Sequence, residues 1–145
     1  MEKIIIRNAE LDDLSKLTNL CNELGYLANK GQILYRLKKI LKSASDVVIV
    51  AVVKNEVIGW IHVFTSLRLE SDPFAEIGGL IVSSERRNKG IGKMLVNAAE
   101  NWSLEKGFSK IRVRSRLERT DARRFYERDG YVLIKSQNVF EKSLD

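Results

Sequence analysis

Residues 83–93 read SSERRNKGIGK, between an apolar run that ends at Val82 and an amphipathic stretch that starts near Gly92. Gly90 and Gly92 can adopt positive φ and leave room for a ligand to approach the backbone closely. The amides around them open a helix whose first N–H groups lack partners. That positive end favours anions by about 0.3–1 kcal/mol per interaction, and by up to about 2 kcal/mol when partly buried. Arg86, Arg87, Lys89 and Lys93 add cations around it. The segment reads as a diphosphate seat; the plainer reading is a glycine-rich connection carrying solvated charge. It is not a P-loop, because one residue separates Gly90 from Gly92 and Met94 follows Lys93. Nor is it a dinucleotide fingerprint, which needs glycine where Leu95 stands.

Outward from the loop, Phe74–Val82 reads as a strand interrupted by Gly78 and Gly79. Paired glycines weaken a strand and are tolerated mainly at a bulge or where another backbone comes close. Gly92 to Lys106 reads as a helix packed through Leu95, Val96, Ala99, Trp102 and Ser103 and ended at Gly107. Lys110–Ser115 alternates as a half-exposed strand, Thr120–Arg128 is a short helix, and Tyr131–Lys135 and Val139–Lys142 read as two closing strands. Toward the N-terminus, Val47–Val53 and Val57–Phe64 form a hairpin about Asn55-Glu56, and Ser71–Pro73 reads as a loop. Ile4–Ile6 is a first strand. Leu11, Leu14, Leu17, Leu20, Cys21 and Leu24 then mark one helix, and Ile33, Leu34, Leu37, Ile40 and Leu41 a second. This order predicts a mixed α/β or α+β fold, a single domain over 1–145.

The chain has 145 residues, enough to bury a core without disulfides or structural metal. Its one cysteine, Cys21, reads as packing, and a reducing cytoplasm suits it. One histidine and one cysteine are too few for a zinc cage, so no metal is expected, and no apolar run is long enough for a membrane span. The net charge of +6 is concentrated. Residues 86–128 hold 13 Lys and Arg against 5 Asp and Glu, while the rest of the chain carries 12 against 14. Such a surplus suits a phosphate-bearing ligand or a nucleic acid. No recognition-helix, RNP or zinc-finger signature supports the nucleic acid. His62 reads as a core or surface residue rather than a catalytic one, and Trp60 and Trp102 as core or groove aromatics.

The order strand, Arg87-x-x-Gly90-x-Gly92, amphipathic helix resembles the acetyl-CoA-binding motif of the GNAT superfamily of N-acetyltransferases. The AEIGGLIV strand before it, the two N-terminal helices, and Ala122, Phe125, Tyr126, Gly130 and Tyr131 further on extend the resemblance over nearly the whole chain. AENW and the C-terminal VFEK also resemble aminoglycoside 6′-type members. The resemblance implies a strongly twisted sheet of six to seven strands flanked by about four helices. Its two central strands, near 74–82 and 110–115, would splay so that acetyl-pantetheine inserts, which would account for the glycines. The pantetheine arm would bond the backbone at Leu80, Ile81 and Val82. The diphosphate would lie on Arg87, Asn88, Lys89, Gly90, Ile91 and Gly92, beside Lys93.

The implied reaction is direct attack of an amine on the thioester of acetyl-CoA, without metal. Glu76 is the implied base, although an acidic residue often stands in aminoglycoside-type members where Gly78 stands here. Tyr126 is the implied proton donor to the departing sulfur, and a backbone N–H near Leu80 the oxyanion donor. Arg119 replaces an asparagine common in the family and could reach a phosphate, as could Arg123 or Arg124. The acceptor class stays open among small amines, aminoglycosides and protein amines, and a homodimer is possible. A non-catalytic acyl-CoA sensor and a basic nucleic-acid-binding module are the competing functions.

Overall fold

In the computed structural model, which describes residues 2–23 and 25–145, the apolar run at 47–53 lies within a strand, Asp46–Val53 (β2). Every residue from Val47 to Val53 is buried, as a strand covered on both faces requires. Lys54 and Asn55 turn the chain with φ of 50° and 63°, the paired positive values of a tight hairpin. The turn is thus one residue earlier than the expected Asn55-Glu56 pair, and Glu56–Arg68 (β3) begins at once. Leu69 and Glu70 make the next turn, with Arg68 opposite Ser71. The expected loop at 71–73 is therefore the start of a strand, Ser71–Val82 (β4).

Ile5–Asn8 (β1) pairs antiparallel with β2, and Ile111–Val113 (β5) pairs parallel with β4. The sheet runs β1-β2-β3-β4-β5, five strands rather than six or seven. Leu14–Glu23 (α1) and Lys30–Lys42 (α2) cover one face. Leu17, Leu20 and Cys21 from α1 and Leu37 from α2 pack with Val48, Val50, Val52, Val57 and Ile81. Asn29 caps α2: its Oδ1 accepts from the Gln32 amide at 2.8 Å, and Gln32 Oε1 accepts from the Asn29 amide at 3.1 Å. Leu24, expected on the α1 stripe, lies outside the described residues. Ile91–Glu105 (α3) packs on β2, β3 and β4 through the fully buried Leu95, Val96 and Ala99.

Two compact units divide the chain, residues up to 114 and residues 115–145. The second holds Thr120–Arg128 (α4). The strands expected at Tyr131–Lys135 and Val139–Lys142 do not form. Val132, Ile134, Val139 and Phe140 are exposed, so the apolar pattern has no facing strand to bury it. Among the described residues, no helix is long and apolar enough to cross a membrane.

Asp13 fastens the entry to α1. Its carboxylate accepts two N–H bonds from the Arg7 guanidinium, each at 2.9 Å, and one from the Glu10 amide at 2.8 Å. The Arg7 bonds, and after them the Glu10 amide, hold the buried Asp13 carboxyl below its ordinary range although burial pushes the other way. A depressed native pKa contributes stability above the unfolded value of 3.8 and loses it as pH falls through the native one. Asp13→Asn is expected to lower unfolding free energy at pH 7 by about 1–2 kcal/mol, allowing for the partial exposure of Arg7. In urea titrations the gap to the wild type should close below about pH 4.

Candidate active site

β4 is the spine of the site. It bonds β3 along its length, but β5 meets it only at Ala75, Glu76 and Ile77. Beyond Ile77 the outer edge of β4, through Leu80, Ile81 and Val82, has no partner strand among the described residues. A strand edge with free N–H and C=O groups accepts another extended chain. The opening expected beside β4 is thus present, with β5 as the last strand of the sheet.

The two glycines mark a bulge. His62 lies opposite Gly79 and Val63 opposite Ile77, so Gly78 is the extra residue. A Cβ on Gly78 would stand 3.0 Å from His62 Nδ1 and 3.1 Å from Phe64 Cε1, and one on Gly79 would stand 3.0 Å from Trp60 Cη2. The glycines therefore make room for rings of β3, a reason different from the inserted ligand expected to explain them.

After β4 the backbone turns through Asn88 at φ 63° and Gly90 at φ 80°. Gly90 is the N-cap of α3; it has no side chain to accept from the first-turn amides, and its Cβ position is open space. Gly92, expected to take positive φ, is inside the helix instead, so Asn88 supplies the second left-handed residue. Alternating backbone of this kind turns successive N–H groups inward and makes an anion-binding concavity. Arg87, Lys89 and Lys93 are exposed around it. Arg86, expected among these cations, pairs instead with Glu2, and that pair holds the Glu2 carboxyl below its ordinary value. Glu23 accepts from the Ser84 amide at 2.7 Å, which ties the start of the loop to α1; the Ser84 side chain, and after it this amide, hold the Glu23 carboxyl below its ordinary value.

Glu76 is buried, and its Oε2 accepts from Arg114 Nε at 3.1 Å. By register it shares a face with Phe64 and His62. His62 Nε2 meets Asp46 Oδ2 at 2.8 Å, and Ser43 Oγ donates to Asp46 Oδ1 at 2.9 Å. Neither Arg114 nor this Ser43–Asp46–His62 chain was expected from the sequence. Phe74 lies under the Arg112 guanidinium, 4.0 Å from its ring centroid. Among the described residues no group of His, Cys, Asp or Glu could hold a metal ion.

In the second unit Tyr126 packs edge-on against Phe125 and Tyr131, with centroids 5.0 and 5.5 Å away. Burial pushes its phenol up to about 12, with Arg119 pulling slightly the other way. Arg119 lies 3.6 Å from Asp121, and Arg123 Nε donates to Glu127 Oε1 at 3.3 Å. Of the expected site residues, Glu76, Leu80–Val82 and 87–93 thus follow one another along β4 and into α3, whereas Tyr126 and Arg123 lie on α4 with Arg119 at its N-cap.

The sequence profile of the acetyltransferase (GNAT) family matches residues 11–131. An uncharacterized N-acetyltransferase of Chlorobaculum tepidum is 35% identical over 139 residues, 94% of this chain and 81% of the relative. Among solved structures, a GNAT family acetyltransferase of Staphylococcus aureus is 28% identical with a TM-score of 0.75, over 99% of this chain and 100% of the other. The aminoglycoside N-acetyltransferase AAC(6′)-Iy, solved with CoA, is 18% identical with a TM-score of 0.90, over 98% and 96%, a likeness of fold.

The raised phenol of Tyr126 is checked by ultraviolet titration. One of the four tyrosines should ionise near pH 12 and vanish from the curve in Tyr126→Phe. A raised native pKa gives stability that is intact below the unfolded value of 10 and is lost as pH rises toward about 12.

Proposed function

The chain belongs to the acetyltransferase (GNAT) family, and on that premise we propose that it moves the acetyl group of acetyl-CoA to a primary amine by direct attack. The observation that carries this reading is a continuous line of open backbone, the outer edge of β4 beyond Ile77 running into the glycine-capped start of α3. Acetyl-CoA supplies a thioester whose C–S bond breaks as the amine forms a C–N bond to the acetyl carbon. The edge at Leu80, Ile81 and Val82 holds the amide-bearing arm by strand addition. The amides of Arg87 to Gly92 hold the diphosphate, with Arg87, Lys89 and Lys93 as counter-charges.

A backbone N–H near Leu80 faces the charge that develops on the acetyl oxygen. Tyr126, whose phenol is pushed up to about 12 and stays protonated at neutral pH, donates an O–H hydrogen bond to the departing sulfur; a thiol at about 8.5 is the stronger acid, so the sulfur leaves as a thiolate that this bond steadies. Arg119 and Arg123 serve the 3′-phosphate end. Glu76, with Arg114 on its carboxylate, draws the acceptor ammonium to the reacting face. In this reading residues 1–145 act as one N-acetyltransferase domain, in line with a family match that spans both units.

The test is calorimetric titration with acetyl-CoA, followed by thiol release with an amine panel of spermidine, kanamycin and a lysyl peptide. The wild type should bind, and Gly92→Glu, which sets a carboxylate among the diphosphate amides, should lose binding at least about tenfold. Glu76→Gln should raise KM for the amine more than it lowers kcat. Binding without any thiol release would favour the non-catalytic sensor; no binding at millimolar acetyl-CoA would end the reading.

A further inference from the structure

His62 is the only histidine in the chain, and its ring is unusually well fixed for a residue with no evident structural task. Nε2 meets Asp46 Oδ2 at 2.8 Å, Asp46 Oδ1 accepts from Ser43 Oγ at 2.9 Å, and Ser43 Oγ accepts from the Ser45 amide at 3.1 Å. Phe64 packs against the ring, with centroids 5.6 Å apart. An ionised carboxylate can only accept, so Nε2 carries the hydrogen, and in the neutral ring Nδ1 keeps its lone pair. Nδ1 lies beside the bulge of β4, 3.0 Å from where a Cβ at 78 would stand, so the ring fits only against a glycine; Gly78 is exposed and the imidazole is about a quarter exposed (24%).

The charged groups on this face are Asp46 from β2, Arg68 from β3, Glu76 from β4, Arg112 from β5, and Arg114 just beyond β5. Glu76 has Arg114 on Oε2, a guanidinium that favours the ionised carboxylate over the protonated one, whereas Nδ1 of the neutral His62 ring carries a lone pair with no hydrogen-bond donor recorded on it. We propose that His62 is the general base: Nδ1 takes one proton from the acceptor ammonium, leaving the neutral amine to attack. Asp46, held by Ser43, is the positioning residue that fixes the tautomer. The inference rests on the acyl-transfer reading above. The second proton, released from nitrogen as the C–N bond forms, balances the departing thiolate, and the proton on His62 returns to water.

Two measurements test it in the full chain. In the first, ¹⁵N NMR of the single imidazole should find hydrogen on Nε2 and a bare Nδ1 in the neutral ring. Asp46→Asn, whose amide can donate, should move the hydrogen to Nδ1. In the second, thiol release is followed with whichever of spermidine, kanamycin and a lysyl peptide reacts. His62→Gln, which can still donate to Asp46, should lower kcat by about 10²-fold while acetyl-CoA affinity stays within about twofold. It should also abolish the acidic limb of the pH–rate profile, which Glu76→Gln should keep.

A wild type that binds acetyl-CoA and acetylates while His62→Gln keeps pace overturns His62 alone. A wild type that does not bind acetyl-CoA overturns the reading beneath it as well. Should none of the three amines react, the tautomer decides: hydrogen on Nδ1 in the wild type overturns the proposal, and hydrogen on Nε2 with its reversal in Asp46→Asn supports it.

Discussion

β4 keeps β3 for its whole length and loses β5 after Ile77. Backbone N–H and C=O groups that lack a strand partner must find another, and this edge runs on toward the first turn of α3. The same stretch of chain therefore presents strand-edge groups, then left-handed loop amides at Asn88 and Gly90, then uncapped helix amides. No single one of these is unusual. Their placement end to end makes a surface that suits a long ligand with amides at one end and phosphates further along.

The Gly78 bulge has a separate consequence. It shifts the β3–β4 register by one residue, so that Glu76 and Gly79 lie on the same face as Phe64 and His62. With a side chain at 78 the imidazole and the Phe64 ring would have to move. One backbone irregularity thus lets the rings pack and keeps the Glu76 carboxylate on the face that carries Phe64 and His62. The electrostatics around the loop are divided in the same economical way. Arg86 and Ser84 are drawn to Glu2 and Glu23, anchoring the start of the loop, while Arg87, Lys89 and Lys93 are left outward.

Much of this was legible in the letters, because apolar periodicity reports which faces are buried. The stripe Leu17, Leu20, Cys21 and the run Val47–Val53 became a packed helix face and a strand covered on both sides. Register was not legible. With a turn at Asn55-Glu56, residues 46 and 62 fall on opposite faces of the hairpin. The actual turn at Lys54–Asn55 followed by an extra residue, Ile58, puts Asp46 opposite Phe64 and on the same face as His62. A bulge leaves no mark in composition, so the Asp46–His62 pair could not be seen. The C-terminal alternation at 131–142 misled for the opposite reason: it has the right pattern, but a strand also needs a partner, and Val139 and Phe140 are left exposed.

The account stands or falls on the open edge of β4 and is tested most directly by amide hydrogen exchange along Gly78–Val82. The amides there that β3 does not hold should exchange readily in the free protein and slow by at least about tenfold with saturating acetyl-CoA, as should those of Asn88–Gly92. Unchanged exchange at both segments in a protein that demonstrably binds acetyl-CoA would contradict it.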